Sequence, residues 1–171
     1  MTNKEFFIQT WQGEMPRTLS AINGLPADMT KLNYQCNEKA RSAEALISHL
    51  LGHAEVLDNS VGSPVANERS AITKFASKED AASYFEKHAT SVAEKLKNVD
   101  DSTWEQQIVT FQVDGNDLFA YPMFNIFWML MFDIIHHRGQ LSTYYRHMGV
   151  RNPSIYGPTA EDMEAMAAAH N

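Results

Sequence analysis

Residues 118–148, LFAYPMFNIFWMLMFDIIHHRGQLSTYYRHM, concentrate both the apolar mass of this chain and its least ordinary chemistry. An apolar run from Met123 to Ile135 is interrupted by Asp133 and closes on the adjacent His136 and His137. At about 3.6 residues per turn, Asp133 and His137 share one helix face a turn apart. His136 lies about 100° around the helix from His137 but also stands three residues from Asp133, so spacing leaves both imidazoles within reach. A carboxylate in such a run is costly to bury without a positive partner. A metal ion meets that need, and so does an ion pair with His137 or an arginine. Pro122, Asn125, Asp133 and the two histidines interrupt every window of about 20 residues, the length that spans a bilayer core. The stretch is the expected central helix of a soluble protein.

The rest of the chain supplies helices to pack against it. Phe6, Phe7, Trp11, Met15 and Leu19 predict a first helix over about residues 3–22, kinked or divided at Pro16 and stopped by Asn23-Gly24-Leu25-Pro26. A polar connection with at most one helical turn covers residues 25–40. Ser42 caps a second helix with Ala45, Leu46, His49, His53, Val56 and Leu57 on one face, ending before Gly62-Ser63-Pro64. After a loop, Ser77 and Asp80 form a capping box for a third helix to about Asn98. Its inward positions are Ala81, Tyr84, Phe85, His88, Val92 and Leu96. Residues 104–120 read either as a short hairpin turned at Asp114-Gly115-Asn116 or as an irregular crossover. The long fourth helix is expected from Tyr121-Pro122 to near Gly149. A short C-terminal helix follows, capped by Thr159 with Asp162. The expectation is an all-α fold: a four-helix bundle in a single domain over residues 1–171, with the possible small hairpin at 104–120.

Charge narrows the partners. Fourteen basic residues against 21 acidic ones give a net charge of −7, and no basic cluster offers a phosphate-binding face, so nucleic acid is not an expected partner. The first residues lack the apolar core of a secretory leader, and a single cysteine, Cys36, cannot form an internal disulfide, so the cytoplasm is the expected location. No base flanks Cys36, which reads as a plain thiol. Phe6, Phe7, Phe127, Trp128 and Phe132 are more aromatic surface than one bundle face readily hides, which predicts a homodimer.

In bundles, sites are built from side chains that project inward from facing helices. The polar residues within apolar stripes are His49 and His53 on the second helix, with Asp133, His136 and His137 on the fourth. His49, Asp133 and His137 would supply two imidazoles and a carboxylate to a divalent first-row ion, leaving positions free for water or substrate. The alternative is a set of paired polar groups lining the core without metal. His53 stands one turn from His49 as a fourth ligand, a general base or a core histidine.

His137-Arg138-Gly139-Gln140, followed by Leu141 and Tyr144-Tyr145-Arg146, resembles the HRGQ signature of the DinB-like family. AEALISHLLGHAE at 43–55 resembles that family's second-helix segment, and SIYGP at 154–158 extends the resemblance. It implies a four-helix bundle, commonly dimeric, holding a divalent metal (Zn, Ni, Fe or Mn) through three histidines. The matching positions are His49, His137 and, four residues before the signature, Asp133, where this chain departs from histidine. A carboxylate ligates the same ions but lowers the charge of the site; His136 is the alternative donor, with Asp133 orienting it. Some relatives are thiol-dependent transferases or isomerases. The resemblance therefore implies a metalloenzyme in which the metal activates a low-molecular-weight thiol or water against a small-molecule substrate, as an S-transferase-like enzyme or a hydrolase. His53 and Tyr144 are its candidate proton-transfer residues. Alternatives are a non-catalytic, stress-associated metal-binding bundle and a metal-free dimerisation module. Gly139 is expected to admit a close neighbour, Arg138 to face outward or across an interface, and Gln140 to reach the site from above His137. Arg146 and Tyr156 are expected to close the pocket or the interface.

Overall fold

The computed structural model describes residues 1–71 and 73–169. Helix α1 spans Asn3–Asn23, opened by a reciprocal capping box between Thr2 and Glu5. It continues through Pro16 without being divided there. The carbonyl that Pro16 leaves without a donor is that of exposed Gln12, while Phe7, Trp11, Thr18 and Ile22 anchor the buried face on both sides. A 3-10 turn at Met29–Asn33 leads to α2, Ala43–Ser60, where the Ser42 side chain accepts from the Ala45 N–H.

The connection after α2 is not a plain loop: it contains strand β1, Val65–Glu68. Helix α3, Lys78–Leu96, is capped by Ser77, and a one-and-a-half-turn helix α4, Asp101–Gln106, is capped by Asp100. Residues 104–120 resolve in favour of the hairpin, with β2 at Ile108–Val113 and β3 at Asn116–Pro122. Asp114 and Gly115 both take positive φ, 51° and 79°, the backbone that a tight hairpin demands. β1 adds to β2 in parallel, Val65 opposite Thr110 and Glu68 opposite Val113, giving a three-stranded sheet in the order β1-β2-β3.

Helix α5, Met123–Ser142, packs against α2 and α1, and α3 closes the bundle on α1 and α2. It stops seven residues before Gly149. The N–H groups of Thr143 and Tyr144 bond three residues back to Gln140 and Leu141, and this tightened turn buries both Tyr144 and Tyr145. Helix α6, Ala160–Ala169, completes the order, and Thr159 and Asp162 exchange the expected capping bonds. The fold is thus mostly helical with a small sheet. None of the described helices is long and apolar enough to cross a membrane.

Two expectations change within the signature. Arg138 faces inward, 1 % exposed, bonding Glu14 Oε2 at 2.5 Å, Thr18 Oγ1 at 2.9 Å and the Tyr156 hydroxyl at 2.5 Å. The carboxylate that makes its burial affordable comes from α1. Around Gly139 nothing lies within 4 Å of a Cβ position, so no element of the chain uses its lack of a side chain. Arg146 pairs with Glu161 at the surface, and Tyr156 donates to Glu14.

Phe7 and Phe127 are wholly buried in the core, so the aromatic surface reduces to Phe6, Trp128 and Phe132. His88 also has a purely internal role. Its Nδ1 lies 2.8 Å from Asp58 Oδ2, and Lys95 Nζ holds the other carboxylate oxygen at 2.7 Å, tying α3 to α2.

Candidate metal centre

Helices α2 and α5 lie side by side, and the polar positions of their facing stripes meet. His49, His53, Asp133 and His137 each offer one donor atom, and these four atoms lie within 4.8 Å of one another. The convergence is on a single oxygen. Asp133 Oδ2 is 2.6 Å from His53 Nε2, 3.3 Å from His137 Nε2 and 3.6 Å from His49 Nε2. All three predicted ligands are therefore brought together, and His53 joins them. His136 is exposed and lies outside the group.

The outer nitrogens explain the orientation. His137 Nδ1 lies 2.8 Å from Gln140 Oε1. A guanidinium, that of Arg41, approaches His137 Nε2 at 3.2 Å. Gln140 Oε1 accepts, so the Nδ1 of His137 carries a proton and donates it. His49 Nδ1 donates to Glu68 Oε1 at 3.1 Å. Two of the three imidazoles thus have their outer nitrogen fixed by a side-chain oxygen, the arrangement that orients metal-ligating histidines. The third, His53, has Nδ1 buried with no hydrogen-bond partner, 4.0 Å from the same Glu68 oxygen.

Charges follow the geometry. Hydrogen bonds from His137, His49 and His53 hold Asp133 far below the usual carboxylate range, against the opposing effect of burial. Burial pulls the His49 imidazole down, but Asp133 and Glu68 on its two sides outweigh it and raise its pKa. Burial pushes Glu68 up, and the bond from His49 with the nearby His53 more than offsets it, leaving Glu68 lowered. The pocket is built to hold positive charge. Three imidazole nitrogens and one carboxylate oxygen are a donor set that fits a divalent first-row metal ion.

Glu68 and Arg41 were not found by sequence. Glu68 arrives on β1, a four-residue strand with no periodicity of its own, and Arg41 precedes the α2 cap in an irregular segment. Tyr144 does not touch the cluster. Its hydroxyl faces the Arg41 carbonyl at 3.1 Å and Cys36 Sγ at 3.4 Å.

Three spaces open onto the site, the smallest, of about 130 Å³, meeting it at His49 and Glu68 with Arg41 in its wall. A cleft of about 790 Å³ meets it at His53 and Asp133, walled by Phe111, Phe119, Trp128 and Phe132 from the hairpin and α5. A recess of about 490 Å³ meets it at His137, lined by Cys36, Lys39, Arg41, Gln140 and Tyr144.

The family model described as "DinB family" matches residues 1–169. Of solved structures, a DinB-like protein (YjoA) from Bacillus subtilis is 16% identical with a TM-score of 0.65, over 90% of this chain and 99% of that one. A DinB-like protein from Bacillus cereus ATCC 10987 is 19% identical with a TM-score of 0.65, over 89% of this chain and 97% of that one. At these identities the likeness is one of fold. No curated protein matches the sequence.

Proposed function

Because the chain belongs to the DinB family, we propose that His49, His53, Asp133 and His137 form a divalent-metal centre and that the protein is a metalloenzyme acting on an apolar small molecule. One observation carries the reading. Three Nε2 atoms face one carboxylate oxygen while the Nδ1 atoms of His49 and His137 are already committed to Glu68 and Gln140. Inward-facing imidazole nitrogens around an anionic oxygen suit a cation held among them.

Held there, a zinc, nickel, iron or manganese ion would lower the pKa of a small thiol or of water and so provide a nucleophile at neutral pH. Four protein donors would close a tetrahedral zinc site, whereas an octahedral nickel, iron or manganese ion would keep two positions free. The donor set therefore favours the octahedral ions.

The protein's own residues do the remaining work. Glu68 and Gln140 lock two imidazoles in the ligating tautomer. His53, a proton-transfer candidate by sequence, is assigned here as the fourth donor. The aromatic cleft receives the organic reactant beside Asp133 and keeps water from it. The reaction is S-transfer to that reactant or its hydrolysis. We also propose a homodimer, in which Phe6, 48 % exposed, and Phe132, 59 % exposed, become covered.

Metal analysis of protein purified without a His-tag tests the central reading. One ion per chain, lost to a chelator and regained on reloading, is expected. A metal-free protein that cannot be loaded would sink it.

A further inference from the structure

The large cleft beside the centre is polar at its two ends and apolar between them. His53, Glu68, Asp133 and His136 stand at the inner end. The other polar group in its wall is the side-chain amide of Asn125, towards the start of α5. Asn125 precedes Asp133 by eight positions, which at 1.5 Å per residue is roughly 12 Å along the helix. Trp128, Met129, Leu130 and Phe132 fill that interval. The indole N–H of Trp128 is directed to Asn3 Oδ1. The Asn125 amide, by contrast, is exposed and has no hydrogen-bond partner among the described residues.

The long walls are aromatic on both sides. Phe111 and Phe119 are register partners on β2 and β3, their rings parallel within 6° and their centroids 5.0 Å apart. From α5, Trp128 and Phe132 bring a second pair of rings, with centroids 5.4 Å apart. Aliphatic side chains would exclude water equally well. Rings on both walls add a preference for a flat aromatic occupant, because ring pairs attract beyond the area that they bury. The space, about 790 Å³, is of ligand size. It also reaches down to His53, 2 % exposed, and Phe111, 5 % exposed. A slender molecule enters to that depth, whereas the face of a second chain does not.

We propose that the cleft binds a flat, fused-ring aromatic molecule lengthwise. A hydroxyl or carbonyl substituent bonds to Asn125, and the opposite edge of the rings is presented at Asp133 and His53. The proposal rests on the reading of the site as a metalloenzyme and deepens it by naming the class of reactant and the residue that sets its orientation.

Equilibrium dialysis of cobalt(II)-loaded, tag-free full-length protein provides the test. The probes are 2-naphthol, naphthalene and decahydro-2-naphthol, the saturated and puckered counterpart of the first. Wild type is expected to bind 2-naphthol about tenfold more tightly than decahydro-2-naphthol, the worth of added ring contacts. Phe119→Leu should erase most of that preference. Asn125→Leu should weaken 2-naphthol about fivefold, the loss of one hydrogen bond, and leave naphthalene unaffected. Asn125 is exposed and leucine nearly fills the place of Phe119, so both variants are expected to keep the wild-type circular dichroism. Equal affinity of wild type for the flat and puckered naphthols, or unchanged 2-naphthol binding in Asn125→Leu, would overturn the proposal. Failure to bind any probe would overturn it too and give the cleft to a second copy of the chain. Cobalt content of the same samples is read separately. Bound cobalt without a ring preference overturns this inference alone. A ring preference in protein that takes up no cobalt overturns the metal centre and leaves the aromatic site standing.

Discussion

The imidazole Nε2 of His53 lies 2.6 Å from Oδ2 of Asp133, although 80 positions separate the two residues in the chain. Through this contact α2 and α5 share one polar centre in the middle of an apolar interface, and each partner offsets the cost of burying the other.

That centre can be separated from ordinary buried histidines. His137→Ala should lower metal content well below one ion per chain, whereas His88→Ala should leave it intact. The second variant leaves Asp58 short of a bond and should destabilise the fold by about 1–3 kcal/mol. Elemental analysis and denaturant unfolding of the two proteins check this pair. Equal metal content in both would refute the ligand assignment.

Glu68 should matter without touching the ion. Glu68→Ala frees the Nδ1 of His49 and is expected to weaken metal binding about 10- to 100-fold, as for other groups that orient a ligating imidazole. Glu68→Gln keeps an acceptor and should fall between. A competition titration against a chromogenic chelator measures both, and an unchanged affinity in Glu68→Ala would count against the orientation role.

Asp58 supplies a pH dependence that is independent of the metal. Burial raises its pKa, but bonds from Lys95, Ser91 and His88 outweigh burial and set it below the ordinary value of 3.8. A carboxyl depressed in the folded state adds stability at pH values above its unfolded value, and that contribution fades as pH falls through the folded one. Asp58→Asn should therefore cost about 1–3 kcal/mol at neutral pH and flatten the acid limb of the stability curve. Urea unfolding of chelator-treated protein between neutral and acidic pH tests the sign; parallel curves for the two proteins would refute it.

Metal removal should lower the melting temperature while leaving the helical signal in place. The apolar core is formed by α1, α2, α3 and α5 together and does not need an ion to close. At an ion concentration of 100 times Kd, loading stabilises the fold by about 2.7 kcal/mol. Collapse of the circular dichroism on chelation would instead assign the ion a structural role.

The dimer is checked by light scattering. A mass of two chains is expected at micromolar concentration, and Phe132→Lys should shift it towards one. A monomeric wild type would refute the assembly.

Much of this was legible in the residue order, because much of it is local. The i,i+4 spacing of Asp133 and His137, the stripe carrying His49, and the caps at Ser42, Ser77 and Thr159 each depend on neighbours within a turn or two. Asp114-Gly115 marks its hairpin in the same local way. What escaped depends on partners far along the chain. Glu68 sits on a strand that exists only because β2 accepts it, and the 2.6 Å contact of His53, already a candidate by sequence, is with Asp133 across the α2–α5 interface. Arg138 turned inward because Glu14 waits for it on α1. An acid within the stripe of Trp11 and Thr18 was the available sign of that pairing.

The parallel pairing of β1 with β2 has a consequence for how the chain matures. Because a parallel partner cannot be reached by a tight turn, Glu68 takes its place only after residues 69–107 have looped away and returned. A peptide covering α2 alone would carry both of its histidines yet offer an incoming ion little grip. Cation capture should consequently belong to the final stage of folding, reporting on a finished molecule rather than seeding one.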